Sequence, residues 1–307
     1  MSTPDFVDRA RGCLHGLAIG DAVGTTAEFR PRGTFKTVTD MVGGGPFDLK
    51  PGQWTDDTSM ALCLAESLSE CRDFNARDQI ERYCRWWRQG HLSSTGSCFD
   101  IGITTSAALL KFERTGEPYA GSIAPGTAGN GSIMRLAPIP IFWAHDLSLA
   151  AQWGRESSRT THGAPECLDA CQALAVLLNR LMSGVSKEDA LARWQTESVE
   201  SPRVQALIEG SFREKTENQV YSSGYVIHTL EAALWSFYHT DSFEEAILRV
   251  VNLGDDADST GAVCGQIAGA YYGLKGIPPH WLERLALRET IDALCLGLLS
   301  SANSLRG

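Results

Sequence analysis

Apolar residues recur at steps of three and four along most of the chain. Phe6, Ala10, Cys13, Leu14 and Leu17 form one such stripe, and Met60, Ala61, Leu64, Ala65 and Leu68 another. The clearest is Cys167, Ala170, Cys171, Leu174, Ala175, Leu178 and Leu181. With 3.6 residues per turn each set falls on one face, so each predicts an amphipathic helix. The same periodicity predicts helices near 77–89, 101–112, 146–158, 187–195, 203–214, 224–238, 243–252, 260–273 and 280–299. Alternation of the strand type is confined to a short piece at 36–39. Gly and Pro mark loops at 43–46, 51–52 and 124–132. No Ser/Pro linker, charge run or internal repeat divides the chain, which reads as one all-α domain over residues 1–307.

Two of the predicted helix starts carry more acid than a helix needs. "WTDDTSM" sets Thr55, Asp56 and Asp57 before one stripe, and "LGDDADSTG" sets Asp255, Asp256 and Asp258 before another. One Thr or Asp per start suffices to cap backbone N–H groups, and first-turn acids suit the helix dipole. The remaining carboxylates need another reason, because crowded carboxylates repel in a partly dry site unless a cation neutralises them. Asp256 and Asp258 flank Ala257 and can turn toward one point, with Ser259 or Thr260 adding a hydroxyl. These are hard oxygen donors, with no adjacent His or Cys to favour zinc, so they suit Mg²⁺ or Mn²⁺. If the two starts converge, their oxygens can hold two divalent cations, which is a two-metal hydrolytic site in outline. The D-D-x-x-D spacing of isoprenoid synthases does not fit: Met60 and Ser259 stand where its third Asp belongs.

Composition removes several alternatives. A net charge of −10 argues against a nucleic-acid partner, since phosphate binding needs a basic surface. No stretch approaches the length of a membrane span, and acids precede the first short apolar run, unlike a signal peptide. Nine scattered cysteines without C-x-x-C or zinc spacing read as buried thiols of a reducing cytoplasm. The chain is expected to act as a monomer.

Seven segments, in order, resemble the ADP-ribosylglycohydrolase family, most closely its bacterial branch typified by the dinitrogenase-reductase-activating glycohydrolase. They are "GLAIGDAVGTTAEF" at 16–29, "WTDDTSMA" at 54–61, "STGSCFDIGITT" at 94–105, "AGNGSIMRLAPIPI" at 128–141, "THGAPEC" at 161–167, "SSGYVIHTLEAALW" at 222–235 and "LGDDADSTGAVCGQIAGAYYG" at 253–273. The resemblance implies an all-α orthogonal helical bundle with a binuclear metal cleft. It also implies that Thr55, Asp56 and Asp57 form one metal motif, and that Asp256, Asp258 and Ser259 form the other. Ser259 stands where Thr is usual, and Asp255 where many members have Gly, which leaves Asp255 outside the ligand set.

The implied reaction is hydrolysis of the N-glycosidic bond between ADP-ribose and an arginine of a mono-ADP-ribosylated protein, releasing ADP-ribose and reversing the modification. Serine-linked ADP-ribose, O-acetyl-ADP-ribose, modified nucleic-acid bases and a silent ADP-ribose-binding protein are the alternatives; the retained acids favour activity. By the resemblance, Glu28 positions or deprotonates the attacking water, and Asp21 organises a helix end. Asp100 sits beside the ribose to bind the guanidinium or move a proton, its plainer reading being a helix cap. Gly129, Asn130, Gly131 and Ser132 resemble a diphosphate cradle at a helix start. Arg135 meets phosphate or forms a buried pair with an acid. His162 contacts the ligand, and Tyr225 stacks on adenine or closes the pocket.

Overall fold

The computed structural model describes residues 5–192, 194 and 199–304. Among them are fourteen α-helices and no named strand. In chain order they are α1 (Phe6–Gly24), α2 (Asp56–Cys71), α3 (Ala76–Gln89), α4 (Ile103–Thr115), α5 (Pro138–Phe142), α6 (Leu147–Arg159) and α7 (Pro165–Met182). There follow α8 (Lys187–Ala192), α9 (Pro202–Ile208), α10 (Val226–Tyr238), α11 (Phe243–Val251), α12 (Ala257–Tyr272), α13 (Pro279–Arg284) and α14 (Arg288–Ser304). The helix expected at 187–195 is described as far as Ala192; residues 193 and 195 lie outside the described residues. No helix among the described residues is long and apolar enough to cross a membrane. All nine cysteines are free; Cys71, Cys84 and Cys98 are half-buried and the rest buried.

The axis of the fold is a pair of helices in backbone contact. Gly12, Gly16, Gly20 and Gly24 recur every four residues on α1 and meet Gly269, Gly265, Gly261 and Ala257 of the antiparallel α12. A spacing of four keeps the glycines on one face, and without Cβ atoms the two backbones can touch. A Cβ on Gly16 would stand 2.2 Å from the Gly265 carbonyl oxygen, and one on Gly20 2.0 Å from that of Gly261. This register carries the C-terminal end of α1 to the N-terminal start of α12. Around the pair, α10 and α11 pack on α12, α14 packs on α1 and α2, and α7 packs on both α12 and α6.

Three sequence expectations change. The helix expected over 203–214 stops at Ile208 and is followed by turns. The strand-like piece at 36–39 pairs with no strand; instead Asn252 satisfies its backbone, with Val38 N–H donating to Asn252 Oδ1 (2.8 Å) and Asn252 Nδ2 donating to the Val38 carbonyl (2.9 Å). The helix expected over 280–299 is two helices, because the loop leading to Thr55 presses between them. Ala286 N–H donates to the Gly52 carbonyl (2.9 Å) and Trp54 Nε1 to the Ala286 carbonyl (3.1 Å), while Leu287 takes a left-handed φ of 51°. These bonds replace the helical ones and seat the Thr55 loop.

Candidate active site

Five helices are capped by their own preceding residue: Asp5, Asn75, Asp146, Ser201 and Ser242 each accept a backbone N–H from the turn that follows. The two acid-rich starts are not. Neither Thr55 before α2 nor Asp256 before α12 makes a side-chain cap. Their N–H groups go to carboxylates from a different segment. Asp21, at the end of α1, accepts from Thr55 N–H at Oδ1 (2.8 Å) and from Thr58 N–H at Oδ2 (3.1 Å). Glu28, just beyond α1, accepts from Ala257 N–H (2.9 Å) and Asp258 N–H (3.2 Å) at Oε2. Orphan N–H groups of a helix start need such partners, and supplying them from outside frees the local aspartates for another use. The glycine register of α1 on α12 is what brings Glu28 to the start of α12.

The freed carboxylates converge. Oxygens of Asp21, Asp57 and Asp258 lie within 4.8 Å of one another, as do those of Glu28, Asp256 and Asp258, so Asp258 belongs to both groups. The Thr55 hydroxyl is 3.0 Å from Asp21 Oδ1, 3.1 Å from Asp57 Oδ2 and 3.1 Å from Asp258 Oδ2. It has one proton to donate, so it cannot satisfy all three. Asp57 Oδ1 is buried with no hydrogen-bond partner. An orphaned carboxylate oxygen among crowded acids is costly alone, and a divalent cation with oxygen ligands fits this donor set.

Above this floor lies a cavity of about 500 Å³. Glu28, Asp56, Asp100, Gly129, Asn130, Gly131, His162, Asp256, Asp258 and Ser259 all line it, drawn from segments far apart in sequence. Thr55 and Asp57 lie fully buried and reach it through their bonds to Asp258 and Ser259. Two further predicted residues do not line it. Ser132 is buried and its hydroxyl accepts from Ser158 (2.9 Å). The Tyr225 hydroxyl donates to Glu166 (2.7 Å) and accepts from Arg203, so its ring walls neighbouring grooves instead. What Tyr225 gives the cavity is backbone: it bridges Gly129, and Asn130 N–H donates to the Gly224 carbonyl (3.0 Å).

Three local expectations are corrected. Asp100 is no helix cap: α4 starts after Gly102, and Asp100 holds a left-handed φ of 58° at the cavity wall. The cradle runs into turns, with the next helix starting only at Pro138. Arg135 is 1% exposed and pairs with no carboxylate among the described residues; its partners are hydroxyls, a thioether and a ring. Asp255 is exposed at a left-handed φ of 54°, consistent with glycine in its place elsewhere.

Burial and mutual repulsion raise most of these acids. Burial, then the charge of Asp258, pushes Asp21 and Asp256 up to about 7 and Asp100 up to about 9. Glu28 and Asp57 are raised by the same two causes, and Asp56 by burial followed by Asp100. His162 is driven down to about 3 by burial and then by Arg135.

A family model described as ADP-ribosylglycohydrolase matches residues 2–306. The chain belongs to the ADP-ribosylglycohydrolase family. It is 48% identical over 305 residues to "ADP-ribosylarginine hydrolase Tri1" of Pseudomonas putida (strain GB-1), covering 98% of this chain and 80% of that protein. It is 32% identical over 304 residues to the ADP-ribosyl-[dinitrogen reductase] glycohydrolase of Rhodospirillum rubrum, covering 96% and 98%. A solved structure titled "ADP-ribosylglycohydrolase-related protein complex" superposes with a TM-score of 0.87 at 45% identity, covering 97% of this chain and 99% of that one.

In this glycohydrolase, sequence reasoning left out the capping exchange and the apolar wall of Phe29, Ile101, Ile103 and Met134. Phe29 has a left-handed φ of 58°, and its N–H donates to the Asp255 carbonyl (2.7 Å), which ties the Glu28 loop to the second acid cluster. The carboxyl shifts also set a sign for stability. Asp21 and Asp256 bind protons more tightly folded than unfolded, so their stabilising contribution is complete below about pH 4 and lost as pH rises through about 7. The thermal midpoint of the chelated glycohydrolase is expected to fall over that range, and saturating Mg²⁺ or Mn²⁺ to flatten the fall. A midpoint independent of both pH and metal would contradict this; scanning calorimetry reads it.

Proposed function

We propose that this glycohydrolase is a divalent-metal-dependent ADP-ribosylarginine hydrolase, acting as one functional unit on mono-ADP-ribosylated proteins and releasing ADP-ribose. The observation that carries the reading is the pair of carboxylate groups sharing Asp258, with its orphaned Asp57 oxygen, at the floor of a cavity of about 500 Å³. The names of the bacterial relatives support arginine as the linkage. Thr55, Asp56, Asp57, Asp256, Asp258 and Ser259 would hold two cations, Mg²⁺ or Mn²⁺, with Asp21 oriented behind them. When bound, such cations supply positive charge that orients ribose hydroxyls and acidifies water.

The chain's own groups then divide the work. One Glu28 oxygen is anchored by two N–H groups of α12, which leaves the other to take a proton from the attacking water. The water oxygen forms the new bond to the anomeric carbon as the carbon–nitrogen bond to the guanidine breaks. Asp100, on the wall of the same cavity, returns a proton to the departing nitrogen. Gly129, Asn130 and Gly131 line the diphosphate side, with His162 beside them. Ser132 and Tyr225 support that loop from behind rather than contacting the ligand. The reading includes a monomer of the cytoplasm that needs no nucleic acid.

Linkage is tested by offering arginine- and serine-linked ADP-ribosyl peptides side by side, with product followed by mass spectrometry. Arginine peptides are expected to be restored to unmodified mass at least about a hundredfold faster, as expected when a site's polar groups match one substrate alone. Equal rates, or preference for serine, would remove arginine from the proposal.

A further inference from the structure

Arg135 is the anomaly of the interior: a cation 1% exposed that neither reaches the cavity nor meets a carboxylate among the described residues. A buried unpaired charge is expensive, so its contacts are informative. The guanidinium carbon lies 4.5 Å from the centre of the Tyr83 ring, a cation–π contact. Its Nη2 donates to the Thr161 hydroxyl at 2.7 Å and more weakly to that of Thr160 at 3.4 Å. The Thr161 hydroxyl is in turn 2.8 Å from His162 Nδ1. His162 lines the catalytic cavity, and its other nitrogen, Nε2, faces Gly129 and Gly131; a Cβ built on them would stand 3.4 and 3.0 Å from it. The glycines of the cradle therefore make room for this ring.

Counting protons along the chain fixes the tautomer. A guanidinium only donates, and a hydroxyl has one proton and two lone pairs. Thr161 is fully buried, and Arg135 fills one of its lone pairs. Its proton then goes to His162 Nδ1, the remaining hydrogen-bonding neighbour of the hydroxyl among the described residues. The reverse arrangement, Nδ1–H donating to Thr161, leaves the hydroxyl proton buried without an acceptor. The doubly protonated ring is opposed by burial and by the neighbouring guanidinium charge.

We infer that Arg135, acting through Thr161, holds His162 as the neutral Nε2–H tautomer, so that His162 is a dedicated hydrogen-bond donor to an acceptor oxygen of the bound ADP-ribosyl group. Arg135 and Thr161 are thus positioning residues, and His162 binds substrate without exchanging protons with it. The inference rests on the proposed function for the identity of the ligand, but the tautomer exists without it.

Nitrogen-15 spectra of the Mg²⁺-loaded protein test this, with His162 assigned by the signal missing from His162→Asn. The expected result is an unprotonated Nδ1 and a protonated Nε2 in the ligand-free wild type. Thr161→Val, which removes the hydroxyl and keeps the shape, is expected to mix the tautomers and weaken ADP-ribose binding about tenfold by calorimetry. Thr161→Ser, which keeps the hydroxyl, should restore both. A protonated Nδ1 in the wild type overturns the inference even if Thr161→Val does not fold. So does a folded Thr161→Val protein with unchanged spectrum and affinity. Neither readout depends on which side chain is de-ADP-ribosylated, so failure of the arginine assignment leaves this result legible.

Discussion

Asp258→Asn is expected to reduce turnover by at least about 10³-fold, the loss of several kcal/mol of metal-supplied stabilisation, while making the chelated protein more stable. The two effects have one cause. Asp258 is in both carboxylate groups, and its charge is the leading electrostatic reason that Asp21, Glu28, Asp57, Asp100 and Asp256 are raised. Asparagine keeps the size and can still accept from Ser259 N–H, which now donates to Asp258 Oδ1 at 2.7 Å. What goes is one negative charge, whose removal relieves repulsion when no cation is bound and removes a shared ligand when one is. The chelated variant should therefore melt about 2–4 °C above chelated wild type and gain little from added Mg²⁺ or Mn²⁺. Wild-type turnover would sink the metal assignment, and a lower melting point without metal would sink the repulsion argument.

The second large effect is mechanical. Gly20→Ala adds a single methyl group, yet that carbon would stand 2.0 Å from the Gly261 carbonyl oxygen and 2.4 Å from its carbon. Both neighbours are backbone, so no rotamer change can relieve the clash, and α1 must move away from α12. Loss of about 3 kcal/mol or more of stability is expected. Activity should fall even at temperatures where the variant stays folded, because α1 carries Asp21 and leads to Glu28. Gly126→Ala is the control: open space surrounds it and its backbone is not left-handed, so its change should stay within about 0.5 kcal/mol. Urea denaturation of both variants decides, and equal midpoints would mean that the glycine contact carries no such weight.

Legibility in the sequence followed the range of the interactions involved. Stripes such as Cys167, Ala170, Cys171 and Leu174 report burial of one face, and α7 runs through them. The surplus acid at "WTDD" and "GDDAD" was legible because capping accounts for one acid and leaves the rest over. Absent from that reading was the reason the surplus exists at all: Asp21 and Glu28 take the capping role from outside, a contact between residues 34 to 230 positions apart. A signal for it was present, since glycines at 12, 16, 20 and 24 and at 261, 265 and 269 are spaced for one helical face. The split between α13 and α14 left no such trace, because the break comes from Gly52 and Trp54 bonding to Ala286 across the fold. Ser132 and Tyr225 show the limit of carrying a motif over whole: their backbone belongs to the cavity wall or its support, whereas their side chains bond elsewhere.

The central claim is that two carboxylate groups sharing Asp258 make this chain a metal-dependent hydrolase of arginine-linked ADP-ribose. Its most direct test is the release of free ADP-ribose from an arginine-ADP-ribosylated protein, measured after chelation and again after adding Mg²⁺ or Mn²⁺. The account predicts no release from the chelated protein and full release once the cation returns. Release that persists undiminished under chelation, or none with either cation, would contradict it.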